Sequence, residues 1–260
     1  MNVGLIGAGH IARALAEGWS RADLPDPPSL IFFDVDAAKA RELAAATGGA
    51  AATAAELVAE ADLVIVAVRP QHVEGVLQDI GAALGERPVV SVAAGVTLAR
   101  LQAALPAGTR VARVMPNVAA ALGLGVFMLV PGTLGPGVVE VGGLFALAGD
   151  VVEVDEALFD AATAVAGCMP GIIAYLVEAF AAAGVAHGLA EDVAVQLAIS
   201  GVYGAAAIVA REGDPSAVVT AAATPGGMTA AAVETLEERE LALTVNDAVA
   251  AAIARAKELA

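Results

Sequence analysis

Near the start of the chain, Val3-Gly4-Leu5-Ile6 is a short apolar run that stops on Gly7-Ala8-Gly9-His10-Ile11-Ala12. This spacing has a use for each small residue. Gly7 permits a tight turn, Gly9 lets a pyrophosphate approach the backbone, and Ala12 lets the following helix pack close to the strand. The helix start at His10 and Ile11 then presents N–H donors and a partial positive charge. The chemistry this permits is dinucleotide binding. The alternative is a tight strand-to-helix turn that holds nothing.

The next apolar run ends in Phe33-Asp34-Val35-Asp36. Asp34 stands where an acid accepts hydrogen bonds from adenosine ribose hydroxyls. Two carboxylates there repel a 2′-phosphate, and no Arg or Ser follows at once, so NADH is slightly favoured over NADPH. Lys39 and Arg41 lie close enough in sequence to oppose this, and either acid could simply cap the next helix. Two later segments, Ala67-Val68-Arg69-Pro70 and Ser91-Val92-Ala93-Ala94-Gly95, also follow strand-like runs. In an open α/β sheet the crevice lies beyond the carboxyl ends of the strands, so both should face the cofactor. Arg69 is placed either to meet a phosphate or to sit on the surface with no partner. Far downstream, Thr224-Pro225-Gly226-Gly227-Met228-Thr229 is a turn feeding a helix. Successive N–H groups there can form a nest for a carboxylate, and the Thr229 hydroxyl can donate and accept. The plain alternative is an inter-helix loop with Thr229 as an N-cap.

These residues need elements to hold them. Strand-like runs fall at Val3 to Ile6, Leu30 to Phe33, Leu63 to Val68, Val89 to Val92, Val111 to Val114 and Val126 to Val130, with a last candidate around Val151, Val152 and Val154. Helical stretches lie between most of them, at Ile11 to Ser20, Ala37 to Ala46, Glu56 to Glu60 and Val73 to Leu84. Thr53 and Glu56 have the spacing of a capping box. Continuous apolar strands separated by helices predict a parallel sheet covered on both faces, a doubly wound Rossmann domain. Beyond Glu156 no strand is evident. Long Ala-rich stretches at Pro170 to His187, Glu191 to Arg211 and Glu238 to Ala260 predict an all-helical second domain, with Asp214-Pro215 as an N-cap and first helical residue. The expected division is 1–154 and 155–260.

Composition narrows the partners. Of 260 residues, 58% are hydrophobic and only 16% charged, which excludes a disordered chain. The net charge of −16 lacks the basic clusters that nucleic acid or an anionic membrane surface requires. The mean hydropathy of +0.77 raises the question of a membrane span. Val114 to Val139 is broken by Pro116, Pro131 and Pro136, and Val193 to Ala210 reads better as a buried helix of an oligomeric domain. Cys168 stands alone, and His10, His72 and His187 are scattered without ligand spacing, so neither a disulfide nor a metal is expected. The first residues lack the basic and apolar regions of a signal peptide, giving a cytoplasmic expectation.

Taken in order, these motifs resemble the pyrroline-5-carboxylate reductase family over essentially the whole chain. Thr224 to Glu237 resembles its Pro-Gly-Gly signature and helix, and Arg113-Val114-Met115-Pro116-Asn117 its segment on the nicotinamide side. Val68-Arg69-Pro70 resembles its Val-Lys-Pro, Ser91 to Gly95 its Ser-x-Ala-Ala-Gly, and Glu178 to Val185 a helix of its dimerisation domain. The resemblance implies an NAD(P)H-dependent reduction of a cyclic imine to proline, with a homodimer often assembled further. It implies a substrate site between the cofactor and the Pro-Gly-Gly loop. There the N–H groups of Gly226, Gly227, Met228 and Thr229 hold the substrate carboxylate, and the Thr229 hydroxyl bonds the ring nitrogen as the catalytic contact. Asn117 joins the cofactor contacts on the same basis.

The chain departs from the family at Val118-Ala119 for Thr-Pro, at Gly167-Cys168-Met169-Pro170-Gly171 for a Ser-containing turn, at Val219-Thr220 for Lys-Asp, and around Thr53-Ala54 for an Asn. These changes replace polar groups by apolar ones and bear on the substrate more than the fold. Cys168 reads as a lining thiol or a small buried filler. Competing readings are a related reductase of another cyclic imine or ketone, and a non-catalytic nucleotide-binding paralogue. Reductases of 6-phosphogluconate or 3-hydroxyisobutyrate would need a Lys in the helical domain, where only Lys257 occurs.

Overall fold

The computed structural model describes residues 1–21 and 24–259. Ala260, the expected end of the last helix, lies outside them. Eight strands form one sheet in the order β3-β2-β1-β4-β5-β6-β7-β8. They are β1 (Asn2–Ile6), β2 (Ser29–Phe33), β3 (Ala50–Ala51), β4 (Leu63–Val66), β5 (Val89–Ser91), β6 (Val111–Met115), β7 (Gly125–Val130) and β8 (Gly149–Glu153). The order reverses beside β1, which makes the crevice at its carboxyl end the topological switch point. The sheet is not wholly parallel as expected, because β7 runs antiparallel to β6 with Arg113 opposite Val130. Only short turns and a single turn of 3-10 helix, Val118–Leu122, join those strands, too little chain for a parallel crossover.

Helices cover both faces. One side carries α1 (His10–Trp19), α2 (Ala37–Thr47) and α6 (Val138–Ala146); the other carries α3 (Ala54–Glu60), α4 (Pro70–Leu84) and α5 (Leu98–Ala103). The aromatic poverty of the sequence is met by one cluster. Trp19 is fully buried, donates from Nε1 to Leu144 O at 2.9 Å, and packs edge-on to Phe145, which packs in turn on Phe127. Opposite, Leu57, Leu77, Leu84 and Leu101 fill an aliphatic layer. The capping box forms as spaced: Thr53 N–H donates to Glu56 Oε2 at 2.8 Å and Glu56 N–H to Thr53 Oγ1 at 3.3 Å.

The compact division falls after Cys168, beyond the expected 154; one unit is 1–168 with the chain from Ala252 onward, the other Met169–Ala251. The reason is α7 (Phe159–Ala162), whose Phe159 is buried with Met128 and Val130 against the sheet. It runs into a π-helical turn, Thr163–Gly167. The second unit is helical: α8 (Met169–Ala186), α9 (Glu191–Glu212), α10 (Pro215–Ala222), α11 (Met228–Glu238) and α12 (Leu241–Leu259), the last extending past Ala251. The expected helix from Glu238 is interrupted, since Glu240 has φ 54° and separates α11 from α12. Asp214 caps α10 from its carboxylate, with Pro215 first in the helix.

The expected burial of the Val193 to Ala210 helix fails within one chain. Ala194 is the one buried residue of α9 among those described, and Ala181 that of α8. No sheet lies in this unit to cover them, and Tyr175, Phe180, Leu197 and Tyr203 stand 56% to 74% exposed. Two helical stretches, 156–186 and 191–212, are long and apolar enough to cross a membrane by length and composition.

Candidate functional site: the glycine turn and the Pro-Gly-Gly turn

Gly7 leaves β1 with φ +99°, and its N–H donates to Phe33 O at 2.7 Å. A Cβ there would stand 2.6 Å from Ala67 O, so the turn tolerates no side chain on both counts. Gly9 is the N-cap of α1, no side chain caps that end, and the space where its Cβ would point is open. The uncapped N–H groups of His10 and Ile11 therefore face a cavity of about 710 Å³. Gly7, Gly9, His10, Ile11, Asp34, Ala67, Val68 and Arg69 all line it, as expected from sequence. A nucleotide diphosphate fits such an open, donor-lined turn at a helix start.

Asp34 is half-buried at the rim. Its Oδ2 accepts from Ala8 N–H at 2.8 Å and its Oδ1 from Asp36 N–H at 2.9 Å. The carboxylate thus clamps the glycine turn and keeps a free lone pair on each oxygen for an incoming hydroxyl. The capping role belongs to Asp36, which accepts from Ala38 N–H at 3.1 Å. A smaller cavity of about 310 Å³ adjoins Asp34 and is lined by Phe33, Arg41, Thr53 and Glu56. The two Thr53 bonds hold the exposed Glu56 carboxyl below its ordinary pKa. Arg13 and Glu42, which sequence reasoning did not single out, also line the larger cavity, together with Lys39 and His72. Arg13 bridges from α1 to Glu42 of α2 at 2.6 Å, a pairing 29 residues apart that no local spacing encodes. A concavity of similar size on one face of α9, lined by Glu191, Val195 and Ile199, gathers no basic donors.

Other expected residues lie outside the cavity lining. Pro70 opens α4 as its first residue, and Ala93, Ala94 and Gly95 follow β5. Asn117 is buried at 6% exposure, and its side chain is committed to the backbone: Nδ2 donates to Ala166 O at 3.2 Å and Oδ1 accepts from Val126 N–H at 3.3 Å. Its amide ties the π-helical turn to β7 and keeps a second Nδ2 hydrogen and a second Oδ1 lone pair beyond these two bonds. Arg113 is also buried, and its Nη1 donates to Glu156 Oε1 at 2.8 Å. Burial holds this guanidinium below its usual pKa, opposed by the bond and the charge of Glu156.

In the helical unit, Gly226 adopts φ +74° and Gly227 N–H closes the turn onto Thr224 O at 2.9 Å. Gly227 is the N-cap of α11, which leaves Thr229 as the second helical residue and removes the capping role considered for it. No side chain caps this end; Met228 is 92% exposed, and Thr229 is exposed with no side-chain hydrogen bond among the described residues. The turn therefore presents uncapped N–H groups and one unused hydroxyl, the equipment to hold a carboxylate and a neighbouring polar atom. Cys168 is exposed, so it is not a buried filler.

Comparison with known proteins places this arrangement. The family model for pyrroline-5-carboxylate reductase dimerisation matches residues 156–259, and that for NADP oxidoreductase, coenzyme F420-dependent, matches 2–95. A pyrroline-5-carboxylate reductase of Mycobacterium leprae is 37% identical, with 99% of this chain and 96% of the relative covered. The structure of a pyrroline-5-carboxylate reductase from Coxiella burnetii superposes with TM-score 0.90 at 27% identity, over 100% of this chain and 98% of that one. A pyrroline carboxylate reductase of Plasmodium falciparum, with NADP bound, gives TM-score 0.86 at 25% identity over 100% and 98%.

Proposed function

Because the chain belongs to the pyrroline-5-carboxylate reductase family, we propose how its own residues perform that reduction. It is an NAD(P)H-dependent oxidoreductase that converts 1-pyrroline-5-carboxylate to L-proline. The observation that carries this reading is near full-length likeness to the relatives together with an open, uncapped glycine turn. The nicotinamide, when bound, supplies hydride to the imine carbon. The protein's part is to bind and orient. N–H groups at Gly9, His10 and Ile11 hold the diphosphate, Asp34 accepts from a ribose hydroxyl, and Arg69 meets a phosphate. N–H groups of Gly226 to Thr229 hold the substrate carboxylate. The Thr229 hydroxyl accepts from the N–H of the ring nitrogen, which is protonated before its carbon receives hydride, so the amine forms with no further proton. A protonated imine is already electrophilic, so this chemistry needs neither a metal nor a covalent nucleophile.

Residues 1–154 carry the cofactor contacts and 155–260 the dimerisation and substrate residues, with the stretch 155–168 packed in the sheet unit. NADH is slightly favoured: the Asp34 carboxylate faces the ribose, while the nearby Arg41, with no hydrogen bond or ion pair among the described residues, keeps NADPH usable. The chain forms homo-oligomers. The exposed apolar faces of α8 and α9 support a dimer, with further assembly built on it, and a second copy rather than lipid as their cover. The net charge of −16 opposes nucleic acid as a partner. A lone unpaired cysteine accords with a cytoplasmic location.

The test is absorbance loss at the nicotinamide band with pyrroline-5-carboxylate, NADH and NADPH in parallel. Turnover with both, faster with NADH, is expected. Turnover with NADPH alone would discard the role given to Asp34. A folded, cofactor-binding protein without turnover would shift the substrate to another cyclic imine, with Val118 and Met169 as the residues to explain.

A further inference from the structure

We infer that Glu156 is a positioning residue for the segment 93–97 and acts through the N–H of Leu98. The inference rests on the proposed reductase and on the sequence reading in which Ala93 to Gly95, beyond the carboxyl end of β5, face the cofactor.

Both ends of the segment are fixed, by different means. At its start, Ser91 Oγ accepts from Ala93 N–H at 3.3 Å, and Val92 N–H donates to Val66 O at 3.1 Å. At its end the chain becomes α5, with Thr97 Oγ1 accepting from Arg100 N–H at 3.3 Å. The first N–H groups of a helix lack partners within it. Here the N–H of Leu98, the first helical residue, donates to Glu156 Oε1 at 2.6 Å. α5 has six residues and fully buries Leu101, with Leu98 partly buried against the core; the N–H bond adds a directional hold that this packing does not supply.

Glu156 lies beyond β8, at the start of the stretch leading to α7. A carboxylate on the surface would sample many rotamers, but this one is gripped. Arg113 Nη1 reaches the same oxygen at 2.8 Å, and the guanidinium lies 4.0 Å over the Phe159 ring. Arg113 is 3% exposed and sits opposite Ser91 in the β5–β6 register. One rung of the sheet therefore carries the anchors for both ends of the segment. The Arg113 Nε is buried without a partner, so the guanidinium is not arranged for best satisfaction of its own donors. Its aligned bond goes to the carboxylate that holds Leu98.

Proline at position 98 separates positioning from bulk. Thr97, at φ −74° and ψ 158°, already has the extended geometry a following proline demands, and proline is favoured at a first helical position. Leu98→Pro removes the N–H and leaves the Arg113–Glu156 pair in place. Leu98→Ala removes the side chain and keeps the N–H. We expect Leu98→Pro and Glu156→Ala each to raise the KM for NADH about tenfold, well below the ~100-fold cost of ångström-scale misplacement, with Leu98→Ala within about twofold of the parent. Glu156→Gln, which keeps an acceptor oxygen, should recover part of the loss. Equal effects of Leu98→Pro and Leu98→Ala would overturn the inference. So would a Glu156→Ala variant with a lower melting temperature and unchanged KM. If Glu156→Ala fails to fold, the Leu98 pair decides alone. The same comparison read as NADH affinity by fluorescence needs no turnover, so an error in the substrate reading and an error in this inference give different results.

Discussion

Replacing Asp34 by Asn tests the cofactor assignment most directly. The carboxylate accepts Ala8 N–H at 2.8 Å and Asp36 N–H at 2.9 Å, one on each oxygen. Asn keeps one acceptor oxygen; its NH₂ must face the other backbone N–H, donor against donor. Hydrogen bonds to an ionised acceptor contribute about 1.5–3 kcal/mol, against about 0.5–1.5 for neutral ones. Losing one charge-assisted ribose contact and slackening the turn should therefore cost NADH about 1.5–3 kcal/mol, roughly 10- to 100-fold in kcat/KM. NADPH loses the same contact but is relieved of a carboxylate beside its 2′-phosphate. At ~6 Å and an effective dielectric of ~20–80 that relief is about 1–3 kcal/mol per unit charge, comparable to the loss. The NADPH to NADH ratio of kcat/KM should thus rise about fivefold or more. The assay is initial rate against each cofactor at fixed pyrroline-5-carboxylate, with a melting curve to show that the variant is folded. An equal fall for both cofactors would show that Asp34 only clamps the turn, and the argument for NADH would be refuted.

Three further outcomes are expected. Thr229→Ala should lower kcat about tenfold, the value of one hydrogen bond of ~1.4 kcal/mol, while the NADH dissociation constant measured by fluorescence stays at the parent value. Gly7→Ala forces a side chain into φ +99° and against Ala67 O, so it should weaken NADH binding more than about tenfold and lower the melting temperature together. The third concerns acid. Glu56 has a folded pKa below its ordinary 4.5, so its contribution to stability is full above that value and is lost as the pH falls through the folded value. Denaturant midpoints of the parent and Glu56→Gln should differ above pH 4.5 and converge below it; a constant difference would contradict the capping geometry.

Local chemistry was legible and distant chemistry was not. Thr53 with Glu56, Asp214 with Pro215, and Gly7 with Gly9 each act within a few residues, so spacing alone revealed them. β3 escaped notice because Ala50 and Ala51 follow two glycines and have weak strand preference; its place is set by pairing with Ile31 and Phe32. α6 was hidden by Gly142 and Gly143, which depress helix propensity while Val141, Leu144 and Phe145 supply the burial that overrides it. α5, a single capped turn and a half, is too short to show a period. The reversal of β7 and the inward turn of Asn117 depend on where Val126 and Ala166 come to lie, which no local pattern encodes. Within the site, either Asp34 or Asp36 could have capped α2 until the backbone gave one to the turn and the other to the helix. The Arg113–Glu156 pair spans 43 residues and was invisible for the same reason.

The bare flanks of α8 and α9 make the stability of the helical unit obey mass action. An isolated subunit leaves Tyr175, Phe180 and Tyr203 in water, so under the proposed dimer part of the free energy that orders these helices comes from association, beyond their packing on each other. For such a chain the melting temperature depends on concentration, so variants are compared at one concentration; each tenfold dilution removes about 1.4 kcal/mol from the assembled state. With the proposed dimer, the freshly made, still dilute subunit is consequently its least stable form, and substitutions in the sheet domain leave that dependence on concentration in place.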